Sequence, residues 1–389
     1  MTAHVAGRDE WTGRAAELVP VLARRAQHAE ESRTIPKQTI DDLVAARLLR
    51  VPNPDRHGGF GLDLDTAIEV AIELGRGCGS TAWCYSVWSS HTWMVGLYGE
   101  AAQEEYFADS CDVLCSSSFD PSRGKAEQAN GGYLLTGRWG FSSGCDAATW
   151  AMLAAPTADQ GAGLFLVPSA DYRIDDTWFT SGLRGTGSKD IVIDEPVKVP
   201  AGRFLPYEAM KTGRTPGGMA AGARPMHRLP FFSVGPFVLA APLLGIAQGA
   251  IDRFEEQARP SASAEGFGAN PASTRSRLAA SAVEIHSARA LLRADLRELI
   301  GLGVRRESPT FDEITRYHRD ATYVAKLTVT AVNRLFEGTG GAALHDSSPL
   351  QRAHRDVHAG SHHVALRWDT AAEQYGRVRL GIEPFPLPF

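Results

Sequence analysis

The spacing of apolar and polar positions divides the chain into three stretches with different periods. Residues 9–32 carry Trp11, Ala15, Leu18, Val19 and Leu22 at helical spacing. A second helix is predicted from Pro36 through IDDLVAARLL, with the proline in its first turn. The Gly/Pro/Asn-rich NPDRHGGFGLD (53–63) reads as a loop, and LDTAIEVAIELGRGC as a third helix that ends at Gly75–Gly79. The fourth, GSTAWCYSVWSSHTWMVGLYG (79–99), takes Ser80 or Thr81 as its N-cap. It is aromatic on every side, which predicts a buried helix rather than an amphipathic one.

Near residue 111 the helical period gives way to short β-branched or alternating runs separated by Gly, Pro, Asn and Asp. They predict six to eight strands over 111–206, with a hairpin at Asn130–Gly132. Residues 209–228, rich in Gly and Arg, read as a loop that is mobile or used in contacts. Helical spacing returns at 229. It covers the apolar PFFSVGPFVLAAPLLGIAQGAIDRFEEQA, then 273–300 after a Ser/Ala/Gly/Pro linker at 260–272, then 310–340, stopped by Gly338–Gly341. A fourth helix of this block begins near Ser348–Pro349. There is no internal repeat. The expected fold class is α+β, in three domains: an N-terminal helical domain (1–110), a central β domain (111–208) and a C-terminal four-helix bundle (209–389).

Composition narrows the function classes. The 389 residues carry a net charge of −5, which argues against nucleic acid or an anionic membrane surface as the main partner. No apolar run reaches the ~18 residues of a membrane span. The N-terminus lacks a continuous apolar signal core, so cytoplasm is expected. Five cysteines, Cys78, Cys84, Cys111, Cys115 and Cys145, include no C-x-x-C pair and read as free thiols.

Two stretches carry candidate chemistry. QRAHRDVHAGSHHVALRWDTAAEQYG (351–376), read as mostly helical, holds four histidines; GRWGFSSG (137–144) reads as a strand that exposes Ser142 and Ser143. His354, His358 and His362 share one helix face if the helix runs through Gly360, and two such histidines can hold zinc. No cysteine or carboxylate is placed to complete that set, so no metal is expected. A break at Gly360–Ser361 would instead bring His362 inward. If the helix continues, His363 points ~100° away from His362, so only one of the two faces the interior. No G-x-G-x-x-G follows a strand, which argues against a Rossmann-type flavin site.

The order of helices, strands and helix bundle resembles the acyl-CoA dehydrogenase family. So do GLRGTGSKDIVIDEPVKVP (182–200) and FEGTGGAALHDSSPLQRAHRDVHAG (336–360). Two departures matter. CSSSFDPSRGKAE stands where the dehydrogenases carry a TEP-type turn ending in Gly-Ser-Asp. The slot of their base glutamate falls near Val364, and no acid follows Asp356 until Asp369. A thioester dehydrogenase must remove an α-proton, which valine cannot do. The histidine-rich segment is instead similar to the two-component (group D) flavin-dependent monooxygenases built on this fold, which hydroxylate phenols, indoles and sterol-derived phenols or oxygenate amino sugars.

That resemblance implies reduced flavin (FADH2 or FMNH2) delivered by a separate NAD(P)H:flavin reductase, O2, an aromatic small-molecule substrate, a flavin C4a-hydroperoxide and a homotetramer. RDVHAGSHH places His363 at the family's active-site histidine, and WGFSSG makes Ser143 its active-site serine, a hydrogen-bond donor near flavin N5. CGSTAWCYSVWSSH (78–91) presents His91 as the partner of His363. Trp83, Tyr85, Trp88 and Trp93 would exclude water, and Trp83, Trp88, His91 and His362 would line the substrate pocket. Ser116, Ser117, Ser142 and Ser143, with Trp139, are candidates for the flavin ring edge, and Arg275 and Arg277 for its phosphates. An amino-sugar N-oxygenase, a thioester dehydrogenase and a non-catalytic scaffold of the same fold stay open as alternatives.

Overall fold

A computed structural model describes residues 2–261 and 271–385. The chain starts with α1 (Thr2–Ser32), which begins earlier than its apolar spacing suggests and runs on through Pro20. In α2 (Lys37–Ala45), Pro36 has ψ 139° and sits at the N-cap, one step before the expected first turn. α3 (Leu64–Gly75) and α4 (Gly79–Val95) are buried at every position. Cys78 caps α4 with extended backbone and no side-chain hydrogen bond, so Ser80 and Thr81 fall inside the first turn and neither is the cap. A short α5 (Glu100–Tyr106), unread in the sequence, buries Ala102 and Tyr106 four residues apart.

Among the described residues eight strands follow: β1 (Cys115–Ser118), β2 (Gly124–Ala129), β3 (Gly132–Ser142), β4 (Trp150–Thr157), β5 (Gly161–Pro168), β6 (Arg173–Asp175), β7 (Lys189–Pro200) and β8 (Phe204–Pro206). They form two four-stranded sheets, ordered β1-β4-β5-β8 and β2-β3-β7-β6. The expected hairpin joins β2 to β3, with Ala129 opposite Gly132. The first sheet lies in the middle of the molecule. On β4, Ala151, Leu153 and Ala155 face the second sheet, and Met152 and Ala154 face the helices. Both faces are apolar, which is why this strand reads as a continuous hydrophobic run rather than an alternation.

Residues 207–228 are folded rather than a free loop. They contain α6 (Tyr207–Thr212) and a single turn, α7 (Pro216–Met219). Met226 N–H donates to Asp63 at 3.0 Å, Arg224 donates to the carbonyls of Pro52 and Leu62, and His227 Nε2 donates to Trp93 O at 3.0 Å. These bonds strap the segment onto the loop that leads into α3 and, at Trp93, onto the C-terminal end of α4. The bundle consists of α8 (Gly235–Ala258), α9 (Pro271–Arg305), α10 (Phe311–Glu337), α11 (Pro349–Ser361) and α12 (Trp368–Arg379). A Thr310–Glu313 capping box starts α10. Most of the linker expected at 260–272 lies outside the described residues. The segment Phe231–Ala258 is long and apolar enough to cross a membrane, contrary to the run-length expectation. Its most apolar window is 89% buried, so those side chains form the centre of the bundle.

One loop, Gly182–Ser188 between β6 and β7, joins the strands to α11. Leu183 takes a left-handed conformation (φ 49°), and its N–H donates to Asp356 Oδ1 at 2.6 Å. Arg355 Nη1 donates to Ser181 O at 2.8 Å. A side chain at Gly182 would collide with the Arg355 carbonyl, so glycine is required for this approach. Gly182→Ala is expected to destabilise the fold by about 1–3 kcal/mol through overpacking. Urea unfolding checks this, and an unchanged midpoint would show that the loop can move off α11.

Candidate active site

Two neighbouring polar clusters form along α4. In the first, the bend after β3 brings Ser143 against the helix. Phe141 has φ 62° and Gly144 φ 70°, and this double reversal turns the chain out of the sheet. A Cβ on Gly144 would strike the Trp88 indole, whose Nε1–H donates to Gly144 O at 3.2 Å. Trp83 Nε1–H donates to Ser143 Oγ at 3.1 Å. Ser143 Oγ lies 2.7 Å from Ser188 Oγ, which lies 2.7 Å from Thr186 Oγ1. The His363 ring also lies against Trp83, tilted, with centroids 6.0 Å apart.

His363 follows α11, which stops at Ser361 with His362 as its C-cap. Its Nδ1 accepts the Ala365 N–H at 3.2 Å, which leaves the proton of the neutral ring on Nε2. That N–H has no partner among the described residues. Burial lowers the His363 pKa to about 4, with nearby Arg367 acting in the same direction. At neutral pH the ring is therefore an uncharged donor, held between Trp83 and the turn.

The second cluster lies eight residues further along α4, a rise of ~12 Å. His91 is 5% exposed. Its Nδ1–H donates to Cys115 O at 2.8 Å, so Nε2 is the acceptor and takes the Ser117 hydroxyl proton at 2.8 Å. Burial lowers its pKa to about 4 as well, against the raising effect of the Cys115 carbonyl. The ring of Phe119 sits 6.3 Å from His91, and Phe231 stacks on Phe119 at 5.9 Å.

Several expected positions change. Ser142 and Ser143 are buried, not exposed, and Ser142 Oγ donates to Ser117 O at 3.2 Å, stitching β3 to β1. Ser116 points to the opposite face of β1 from Ser117, into the space between the sheets beside the Tyr172 hydroxyl, because side chains alternate along a strand. Trp139 is also in that inter-sheet core, fully buried, with Nε1–H donating to Ala154 O at 2.7 Å. Neither can edge a ring bound on the helix side. His362 is exposed, with Nδ1 donating back to His358 O at 2.7 Å, so His363 is the inward histidine of the pair. His91 and His363 are not partners; each has its own set of contacts.

Trp88 is buried and clamps Gly144 rather than lining open space. His354 stacks on Phe336, and His358 Nε2 donates to Asn333 Oδ1 at 2.8 Å, so the shared histidine face packs α11 on α10. Arg277 Nη1 donates to Arg334 O at 2.9 Å at the end of α10, and Arg275 is exposed at the start of α9.

The sequence reading missed Ser188 and Thr186, because a hydroxyl in a glycine-rich turn carries no periodic signal. It also missed Phe141, 78% exposed, with its ring at the edge of Trp178. The donor set fits a flat heteroaromatic ring with nitrogen and carbonyl edges: a hydroxyl and an unpartnered imidazole N–H both lie against one indole.

Residues 14–111 match the acyl-CoA dehydrogenase N-terminal domain, and residues 237–368 match an acyl-CoA dehydrogenase C-terminal domain. The chain is 34% identical over 373 residues to the flavin-dependent monooxygenase oxygenase subunit HsaA of Rhodococcus jostii, covering 94% of this chain and 97% of the relative. It is 32% identical over 387 residues to the oxygenase component of an FADH2-dependent resorcinol hydroxylase of Rhizobium sp., covering 96% and 94%. Among solved structures, 3-HSA hydroxylase from Rhodococcus sp. RHA1 superposes with a TM-score of 0.92 at 33% identity, covering 97% and 98%.

The buried histidines make stability depend on pH. The folded chain holds His91 neutral down to about pH 4, whereas an unfolded histidine takes its proton near 6.5. The unfolded state therefore binds more protons in that window. The contribution of His91 is fully present above pH 6.5 and is lost as pH falls toward 4, on the order of 3 kcal/mol at most. His227, lowered by burial to about 3, adds in the same direction. Urea unfolding of wild type and His91→Gln across this window should show a shallower pH slope in the variant. Parallel slopes would mean that the native state protonates His91.

Proposed function

The chain belongs to the acyl-CoA dehydrogenase family and is the oxygenase component of a flavin-dependent monooxygenase, and on that premise we propose that it hydroxylates a phenolic small molecule. Reduced flavin from a separate reductase supplies, when bound, the electrons that activate O2. FADH2 is the form proposed, the one that the resorcinol hydroxylase relative carries in its name.

The Ser117–His91 pair carries the substrate reading. Ser117 gives its proton to His91 Nε2 at 2.8 Å, so the Ser117 oxygen is left with lone pairs for an incoming O–H. A phenolic hydroxyl supplies that proton, and the stacked Phe119 and Phe231 offer its ring a flat apolar wall. Because His91 is held neutral, the pair receives a neutral phenol without creating a buried unpaired charge. Ser143 and His363, both against Trp83, are the proposed contacts to the flavin edge and the reacting oxygen. With Nδ1 engaged, His363 acts through its Nε2–H, holding an oxygen in place rather than abstracting a proton. The closely packed aromatic residues of α4 keep water out.

Among the described residues, no base for thioester dehydrogenation stands at the family's position. Val364 follows His363, and the Asp356 carboxylate on α11 is buried against the Leu183 amide. A homotetramer is part of the proposal, supported by the outward apolar Val283 and Val304 on α9 and Tyr323 on α10. So are an NAD(P)H-dependent reductase and a cytoplasmic location, which would keep the five free thiols reduced.

The test is incubation with reduced FAD, isotopically labelled O2 and a panel of phenols and indoles. A product carrying one labelled oxygen is expected, and flavin oxidation that yields only peroxide with every compound would sink the reading. His363→Ala should leave folding and flavin affinity near wild type and lower hydroxylation by roughly 10²-fold, the scale of one lost oriented donor. Unchanged turnover would remove His363 from the site.

A further inference from the structure

Two buried hydroxyls, Ser188 and Thr186, connect Ser143 to the backbone of the Gly182–Ser188 loop, and the bonds allow only one direction of donation. A carbonyl oxygen has no proton, so Thr186 Oγ1, 2.8 Å from Leu183 O, must donate to it. A hydroxyl has a single proton. Thr186 has therefore used its own, and the 2.7 Å contact with Ser188 is Ser188 donating to Thr186. Ser188 has then used its proton, and the 2.7 Å contact with Ser143 is Ser143 donating to Ser188. Trp83 Nε1–H, which can only donate, completes the chain into Ser143 Oγ at 3.1 Å. The order is Trp83 to Ser143 to Ser188 to Thr186 to the Leu183 carbonyl. Trp83, Ser143, Ser188 and Thr186 are all buried, so water does not compete for these bonds.

The end of the chain is fixed independently. Leu183 O also accepts the Trp178 indole N–H at 3.1 Å, and Leu183 N–H is held by Asp356 Oδ1 at 2.6 Å. The terminal acceptor is thereby tied to α11, the helix that leads into His363.

We propose that Ser188 is a positioning residue for Ser143: in the flavin-free protein it holds the one Ser143 proton, and it gives that proton up when an acceptor on the flavin takes its place. The change requires one rotation about the Ser143 Cβ–Oγ bond. Trp83 keeps Ser143 Oγ in position, and Ser188 keeps its own bond to Thr186. The inference rests on the reading of Ser143 as a flavin contact. It assigns to Ser188 and Thr186 the task of presetting the rotamer of Ser143, so that its oxygen is already oriented when flavin arrives.

The experiment compares Ser143→Ala, Ser188→Ala, the double variant and Thr186→Val, all as full-length protein. In the flavin-free state, tryptophan labelled with nitrogen-15 gives an indole N–H resonance for Trp83, assigned by its disappearance in Trp83→Phe. Ser188→Ala should shift this resonance although residue 188 does not bond to Trp83, because each bond in a chain polarises the next. With reduced flavin, substrate and O2, Ser188→Ala should raise the fraction of O2 released as peroxide about three- to ten-fold, because the Ser143 rotamer is no longer preset for the flavin. Thr186→Val should do so more weakly. The double variant should leak no more than Ser143→Ala alone, since Ser188 acts only through Ser143.

A still Trp83 resonance in Ser188→Ala, or additive leakage in the double variant, overturns the inference. If Ser143→Ala itself does not leak, the reading of Ser143 as a flavin contact fails instead, and the Trp83 resonance alone decides whether Ser188 orients it.

Discussion

The hydrogen bond from Leu183 N–H to Asp356 Oδ1 is the joint on which the site depends. Leu183 is a bulky residue in the left-handed region, a conformation that costs about 1–2 kcal/mol and persists only where its surroundings impose it. Here they do: the carboxylate takes the amide, Trp178 and Thr186 take the carbonyl, and Gly182 lets the chain lie directly on α11. Burial raises the Asp356 pKa to about 6, with the Leu183 amide and the Arg355 and Arg352 guanidiniums opposing that shift. Those arginines in turn hold Glu30 of α1, Arg352 at 2.8 Å and Arg355 at 2.5 Å. One loop therefore sets the position of the strands, the last bundle helices and the first helix relative to each other.

The site is built from neutral groups. Three histidines, His91, His227 and His363, are held uncharged by burial, and each has a backbone or hydroxyl partner that fixes which nitrogen carries its proton. A charged imidazole in these positions would need a counter-ion, and none of the three has a carboxylate hydrogen-bonded to it. Their chemistry is consequently that of oriented donors and acceptors. This suits a reaction in which an oxygen atom must be delivered to a ring while water and stray protons are kept away.

The division of labour along α4 follows from helix geometry. Trp83 and Trp88 reach the bend after β3, and His91, further along, reaches β1; the rise per residue separates the two clusters by ~12 Å. Trp88 needs Gly144 in order to pack, and Ser142 ties β3 to β1 at Ser117, so the two polar clusters sit at fixed separation on one rigid surface. Phe141, displaced outward by its positive φ, is left with its ring exposed at the edge of this surface.

Local rules were enough for much of this protein. Helical and strand periods placed the order of helices, strands and bundle, because burial of an apolar face imposes its repeat on the chain directly. The buried character of α4 and the hairpin at Asn130–Gly132 followed in the same way, and the motif around Arg355–Asp356 carried the resemblance to the family. What the sequence could not decide was which way a side chain turns once the elements meet. Ser116 and Ser117 are neighbours in a run of serines, and only the pairing of β1 with β4 and the packing of α4 send one between the sheets and the other to His91. Trp139 and Trp83 look equally suited to a ring edge, yet the first is enclosed between two sheets and the second faces Ser143. His362 and His363 differ by one residue, and the end of α11 at Ser361 makes one a solvent-facing cap and the other an inward donor. The hydroxyls of Thr186 and Ser188 have no period at all. Their role arises because Ser188 meets Ser143, 45 positions away, and Ser143 meets Trp83, 60 positions away, and contacts of that kind exist only in the folded chain.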